Sequence, residues 1–136
     1  MIPFIIFKLQ GKDFGIPFQE IEEIQNAKTG TPLPFSQPWH EGMITVRGDL
    51  FTLINLSMKL GLSDQKGTAE DKIILLSRYK VALLVNELDD TITAEEEEIA
   101  AHEDERLRTI FPTIIEKSGR SVPLLSVDAL IASTQA

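Results

Sequence analysis

The tripeptide Arg47-Gly48-Asp49, inside "GMITVRGDLFTLINL", has the residue types of the adhesion motif that integrins bind on extracellular loops. The same residues fit a tight hairpin. Ile44 and Val46 alternate with Thr45 on one side, and Leu50 to Ile54 resume a β-rich run on the other. A Gly48-Asp49 pair between such runs is a two-residue turn signal, because glycine in the first position accepts positive φ without steric penalty. That reading assigns Gly48 and Asp49 to backbone geometry. It does not require Arg47, whose planar five-donor fork is either solvated or presented to a partner's carboxylate or carbonyl groups.

Other reactive residue types do not converge. His40 and His102 share no ligand-like spacing. His40 follows Pro38-Trp39 and reads as a surface or seam residue rather than a base or ligand. His102 could join Glu103, Asp104 and Glu105 at a divalent cation, but the run lacks the alternating ligands and glycine turn of an EF-hand loop. A solvated acidic face is the expectation there. No G-x-S-x-G elbow or G-x-x-x-x-G-K phosphate loop occurs, and Gly11-Lys12 reads only as a turn. Carboxylates are plentiful, yet abundance is not pairing. No catalytic residue, metal or cofactor is expected.

The elements that must carry these residues belong to a chain of 136 residues, the size of one domain with a real hydrophobic core. Its 21 acidic against 13 basic residues give a net charge of −8, which lacks the electrostatic footprint of a nucleic-acid binder or of a protein drawn to anionic membranes. There are no cysteines, so disulfides, thiolate metal sites and cysteine nucleophiles are excluded. The apolar run Ile2 to Phe7 is too short to span a membrane and has neither a basic flank nor a small-residue cleavage site. It reads as a first strand, without export or membrane insertion. A cytoplasmic location is expected, which weakens the adhesion reading.

Strand-like runs are many and short. Phe4 to Leu9 leads into a turn at Gly11-Lys12-Asp13, and Phe14 to Ile16 returns. Ile21 and Ile24 frame "IEEI". The stretch "TGTPLPFSQPW" holds three prolines and reads as an extended connection. "NLSMKLGL" is a short helical turn ended by Gly61, and residues 63–72 are a solvated loop. "IILLSRYKVALLV" reads as a hairpin of core strands with its tip at Ser77 to Lys80. Ser126 is placed to cap a short C-terminal helix. Residues 93–108 combine a capping box, Thr93 with Glu96, and too few apolar residues for a buried stripe. A surface helix and a strand followed by an acidic loop both fit, and a mixture is expected. The pattern is mainly β.

In order, "FGIPFQEIEEI", "TPLPFSQPWHEGMITVRGDLFTLINLSMKLGL", "IILLSRYKVALLVNEL" and "SVPLLSVDALI" resemble the CheW-like family, from about Phe4 to Ile131. Its members are bacterial chemotaxis coupling proteins, with relatives in type IV pilus and gliding pathways. The resemblance implies a single domain, residues 1–136, of two interdependent five-stranded SH3-like β-barrels packed along a hydrophobic seam. It implies an adaptor without catalysis, linking the regulatory domain of a CheA-type histidine kinase to the cytoplasmic tip of a methyl-accepting receptor. A pilus, twitching or gliding adaptor is the alternative. The family's receptor and array contacts fall on Ile21, Glu23, Gly42 and Arg47, with Glu23 and Arg47 either pairing across adjacent strands or meeting charges on a partner. Asn55, Asn86 and Ser126 stand where the family usually has an acidic residue, and Pro112-Thr113 where glycine is common. These departures suggest a divergent paralogue.

Overall fold

Short β-branched and aromatic runs broken by Gly, Pro and polar clusters form strands here, because none is long enough or suitably periodic for an amphipathic helix. The computed structural model describes residues 1–34 and 36–134, so Phe35, inside the extended connection, and the last two residues lie outside the described residues. The elements run β1 (Ile2–Leu9), β2 (Lys12–Pro17), β3 (Ile21–Asn26), β4 (His40–Val46), β5 (Asp49–Asn55), α1 (Leu56–Lys59), β6 (Lys72–Leu76), β7 (Val81–Val85), β8 (Glu87–Ala94), β9 (Ile99–Ala101), β10 (Thr113–Lys117), β11 (Arg120–Leu124) and α2 (Val127–Thr134). The fold is mainly β, in two sheets ordered β8-β1-β2-β11-β10-β9 and β3-β6-β7-β5-β4. The chain divides into two compact units. One comprises Met1–Phe7, Lys12–Phe18 and Asp89–Ala136, and the other Lys8–Gly11 and Gln19–Leu88.

The first unit buries Phe4, Ile6, Ala94, Ile115, Val122 and Leu124, with Ile92 and Ile99 packed against them. Phe14 stacks between Phe7 and Phe111, at ring-centroid distances of 5.9 and 4.8 Å. The sixth strand comes from the acidic segment. Thr93 does not cap a helix but belongs to β8; a single 3-10 turn, Glu96–Glu98, follows, with the Glu95 N–H donating to Glu98 Oε1 at 2.9 Å. Ile99 then pairs opposite Ile115 in β9. Pairing of these apolar residues, and the repulsion among consecutive glutamates in a helix, outweigh the local helix signal. Ser126 Oγ accepts from the Ala129 N–H at 3.2 Å and caps α2, which buries Val127, Leu130 and Ile131.

The second unit alternates along β4 and β5 to bury Ile44, Val46, Phe51 and Leu53 against Ile73, Leu75, Ala82 and Leu84. On β6 and β7 consecutive residues are buried, as the apolar runs suggested. Asn55 Oδ1 caps α1 by accepting from the Met58 N–H at 3.1 Å, and Gly61 follows at φ +73°.

Three hairpins close on an X-Gly pair with both residues at positive φ: Gln10-Gly11 at 52° and 80°, Arg47-Gly48 at 50° and 86°, and Ser118-Gly119 at 52° and 77°. Positive φ at both positions is the type I′ pattern, whose twist matches that of the flanking strands. The bend at 47–49 therefore sits one residue earlier than the Gly48-Asp49 reading: Val46 pairs with Asp49, which already opens β5. The first turn moves in the same way, from Gly11-Lys12-Asp13 to Gln10-Gly11. Glycine serves the second position, not the first.

Candidate interaction site

Gly42, expected at a partner contact, is buried and has a geometric role within the chain. The β4–β5 register shifts between His40 and Gly42, marking a bulge. Gly42 lies at φ +109°, and a Cβ there would fall 2.4 Å from the Thr31 carbonyl oxygen. Thr31 and Met43 exchange two backbone hydrogen bonds of 2.8 Å. Only glycine permits that approach of the segment after β3 to β4.

β3 and β4 are the two outermost strands of their sheet, yet Arg47 Nη1 lies 2.7 Å from Glu23 Oε1. The pair thus bridges the sheet's two edges rather than adjacent strands. Glu23 Oε2 also accepts from Gln25 Nε2. That amide, then the Arg47 guanidinium, hold the Glu23 carboxyl below the ordinary carboxylate range by favouring its charged form. Glu23 follows a second bulge, between Ile21 and Glu23, and Ile21 is half-buried opposite Leu76. The Arg47 side chain is 62% exposed. Its left-handed backbone costs a Cβ-bearing residue about 1 kcal/mol relative to glycine.

The strand directions put three more features at this end of the sheet. Arg78, on the β6–β7 tip, donates through Nε and Nη2 to the two oxygens of Glu20 at 2.8 and 2.6 Å. Lys80 pairs with Asp49 at 3.4 Å. Leu50 is 57% exposed. Three ion pairs and an exposed leucine therefore share this end of the sheet. Sequence reading missed Glu20, Leu50, Arg78 and Lys80. Glu20 and Arg78 are 58 positions apart, and no local pattern links them.

The histidines are engaged elsewhere. His40 Nδ1 accepts from the Gln37 N–H at 3.0 Å, and its ring lies 4.2 Å from Trp39, over which Lys59 sits at 4.1 Å. Burial, and then the Lys59 charge, push the His40 pKa below its usual value. His102 Nδ1 is 2.7 Å from the Phe111 carbonyl and, as the protonated nitrogen, donates to it. Among the described residues no group of three or more His, Asp or Glu side chains could hold a metal ion, and no helix is long and apolar enough to cross a membrane.

The departures at Asn55 and Asn86 have local partners. Asn55 Nδ2 donates to Glu41 Oε2 at 2.9 Å, where an aspartate would set two carboxylates face to face. Asn86 Oδ1 accepts from the Gln10 N–H at 2.7 Å, while its Nδ2 donates to Asp71 Oδ1 at 3.3 Å.

At the exposed Arg47 end of the sheet the polar groups serve turns, bulges and ion pairs on a scaffold of short strands. The chain belongs to the CheW-like domain family, whose model matches residues 3–135. It is similar to the Chemotaxis protein CheW of Bacillus subtilis (strain 168), 31% identical over 97 residues that are 70% of this chain and 62% of that protein. It is also similar to the Probable chemotaxis protein CheW of Rhizobium etli, 26% identical over 136 residues that are 96% of this chain and 88% of that protein. The chain therefore spans under two thirds of the Bacillus relative and most of the Rhizobium one. The crystal structure of the scaffolding protein TtCheW from Thermoanaerobacter tengcongensis matches at a TM-score of 0.85 and 18% identity, over 93% of this chain and 89% of that one. At that identity the likeness is one of fold.

Proposed function

We propose that the chain is a non-catalytic signalling adaptor that couples a CheA-type histidine kinase to the cytoplasmic tip of a methyl-accepting receptor, inside the cell and at receptor arrays. Family membership across residues 3–135 carries the reading. The Arg47 end supports it with a surface whose charges are suited to exchange. Arg47 and Glu23 are paired with each other in the free chain, and a partner carboxylate competes for the guanidinium. Exchange of exposed pairs contributes little net stability and much selectivity. Ile21, Glu23 and Arg47 make the contact, and Gly42 fixes the backbone that presents them. The two units fold as one cooperative domain, with a single thermal transition coincident by all probes as the expected result.

Calorimetric titration of the full chain against a cognate kinase regulatory domain and a receptor-tip fragment tests the function. Saturable binding to both is expected. Binding to neither overturns the proposal.

A further inference from the structure

The opposite end of the five-stranded sheet carries a second arrangement, independent of the adaptor reading. The loop after α1 is polar throughout and is expected to be solvated, but it is pinned. Glu41 Oε2 accepts from the Gly67 N–H at 3.0 Å as well as from Asn55. Buried Asp71 accepts from the Thr68 N–H at 2.9 Å. Gly67 itself is tightly packed, since a Cβ there would meet Leu84 Cδ2 at 2.4 Å.

Between this loop and the residues following β3 lies a recess of about 410 Å³, in the size range of small-molecule sites. Lys28 enters it from one wall and Lys66 from the other. Neither makes a direct ion pair among the described residues, although the Lys28 charge acts at longer range on Glu23, in a chain with 21 acidic residues. A lone unpaired surface lysine is ordinary. Here, however, the backbone N–H groups of Thr29, Gly30 and Ala69 also donate to no acceptor among the described residues. Against these donors stands the carboxylate oxygen Glu41 Oε1, which no described side chain or N–H engages, while Ala27 and Ala69 add apolar lining. A simple anion would satisfy the lysines and be repelled by Glu41. A molecule with both charges suits both.

We propose that this recess binds a small zwitterion of the amino-acid type, its carboxylate between Lys28 and Lys66, its ammonium at Glu41 Oε1 and its side chain against Ala27 and Ala69. Pinning by Glu41, Asn55 and Asp71 forms the walls in advance, so little ordering accompanies binding.

Titration of the isotope-labelled full chain by NMR with leucine, and separately with acetate, tests this. Leucine should give saturable amide shifts at Thr29, Gly30, Lys66 and Ala69, with acetate weaker by at least about tenfold. The double variant Lys28→Gln with Lys66→Gln should lose leucine affinity by a similar factor while its remaining spectrum stays in place. If the double variant fails to fold, Lys28→Gln alone gives the same readout. Absence of saturable shifts, equal binding of acetate and leucine, or unchanged affinity in the lysine variants would each overturn the proposal.

Discussion

The β4–β5 and β10–β11 hairpins close with nearly the same backbone and different chemistry. Arg47-Gly48 lies at φ 50° and 86°, and Ser118-Gly119 at 52° and 77°. In both, a Cβ-bearing residue occupies a left-handed position that asparagine or glycine would fill with less strain. In β10–β11 the charges lie beside the turn: Lys117 reaches Glu98 at 3.8 Å, and Arg120 reaches Asp13 at 2.8 Å. In β4–β5 the turn residue itself carries the charge and reaches Glu23 on the sheet's far edge. The two turns thus reach the same geometry with different first side chains, neither of them the type that the left-handed position favours. What arginine contacts, not what the bend needs, accounts for Arg47.

The largest break between the hairpins is predicted at Gly42. The β10–β11 pairing is unbroken from Thr113 opposite Leu124 to Lys117 opposite Arg120, so it has no counterpart to the Gly42 bulge. Gly42→Ala should lose on the order of 3 kcal/mol in urea denaturation, from a left-handed φ and a backbone clash combined. A near-neutral result would mean that the segment around Thr31 moves aside freely. Smaller and matched effects are expected at the turn glycines. Gly48→Val and Gly119→Val should each cost roughly 2 kcal/mol, because both place a β-branched residue at positive φ. Clearly unequal losses would sink the claim of a shared turn geometry.

Much of this architecture is legible in local sequence, and the exceptions share a cause. β-branched alternation marks β4 and β5, the paired apolar runs mark β6 and β7, and Ser126 announces α2, because each signal acts within a few residues. The phase of the turns was missed because glycine serves either position of a two-residue loop, and only strand register decides which. The Thr93 capping signal was overridden by a distant partner, Ile115, pairing with Ile99. Gly42 is legible as a special position, but its reason, the Thr31 carbonyl, is nonlocal. The candidate site divides in the same way. Arg47 stands out because the bend does not need it, whereas Glu20 with Arg78 and the exposed Leu50 emerge only when the strands are ordered.

The hairpins should separate most cleanly in binding. Arg47→Glu should weaken affinity for the receptor-tip or kinase fragment by about tenfold or more, roughly 1.4 kcal/mol. Ser118→Glu should leave that affinity within about twofold, and both should melt within a few degrees of the parent chain. A collapse of thermal stability in Arg47→Glu would make Arg47 a structural residue and remove it from the contact surface. A finer comparison uses asparagine, which tolerates the left-handed region. Arg47→Asn and Ser118→Asn should each gain up to about 1 kcal/mol of backbone stability. Only the first should lose partner affinity, and loss in both would erase the distinction between the hairpins.

The smallest predicted effect is a titration. Gln25, then Arg47, hold the Glu23 carboxyl below its ordinary value near 4.5. A carboxyl with a lowered folded-state pKa stabilises the fold fully above the unfolded value, and the contribution is lost as pH falls through the folded one. Stability from this group should therefore be flat from about pH 8 to pH 6 and decline only on further acidification. Arg47→Asn removes one of the two named causes and leaves the Gln25 amide in place. The NMR titration midpoint of Glu23 should rise towards the ordinary value without reaching it. Ser118→Asn should not move it, since neither cause of the shift resides in that hairpin. An unchanged midpoint in Arg47→Asn would show that the ion pair is not populated in solution. Arg47 would then meet partners as a free fork rather than by exchange with Glu23.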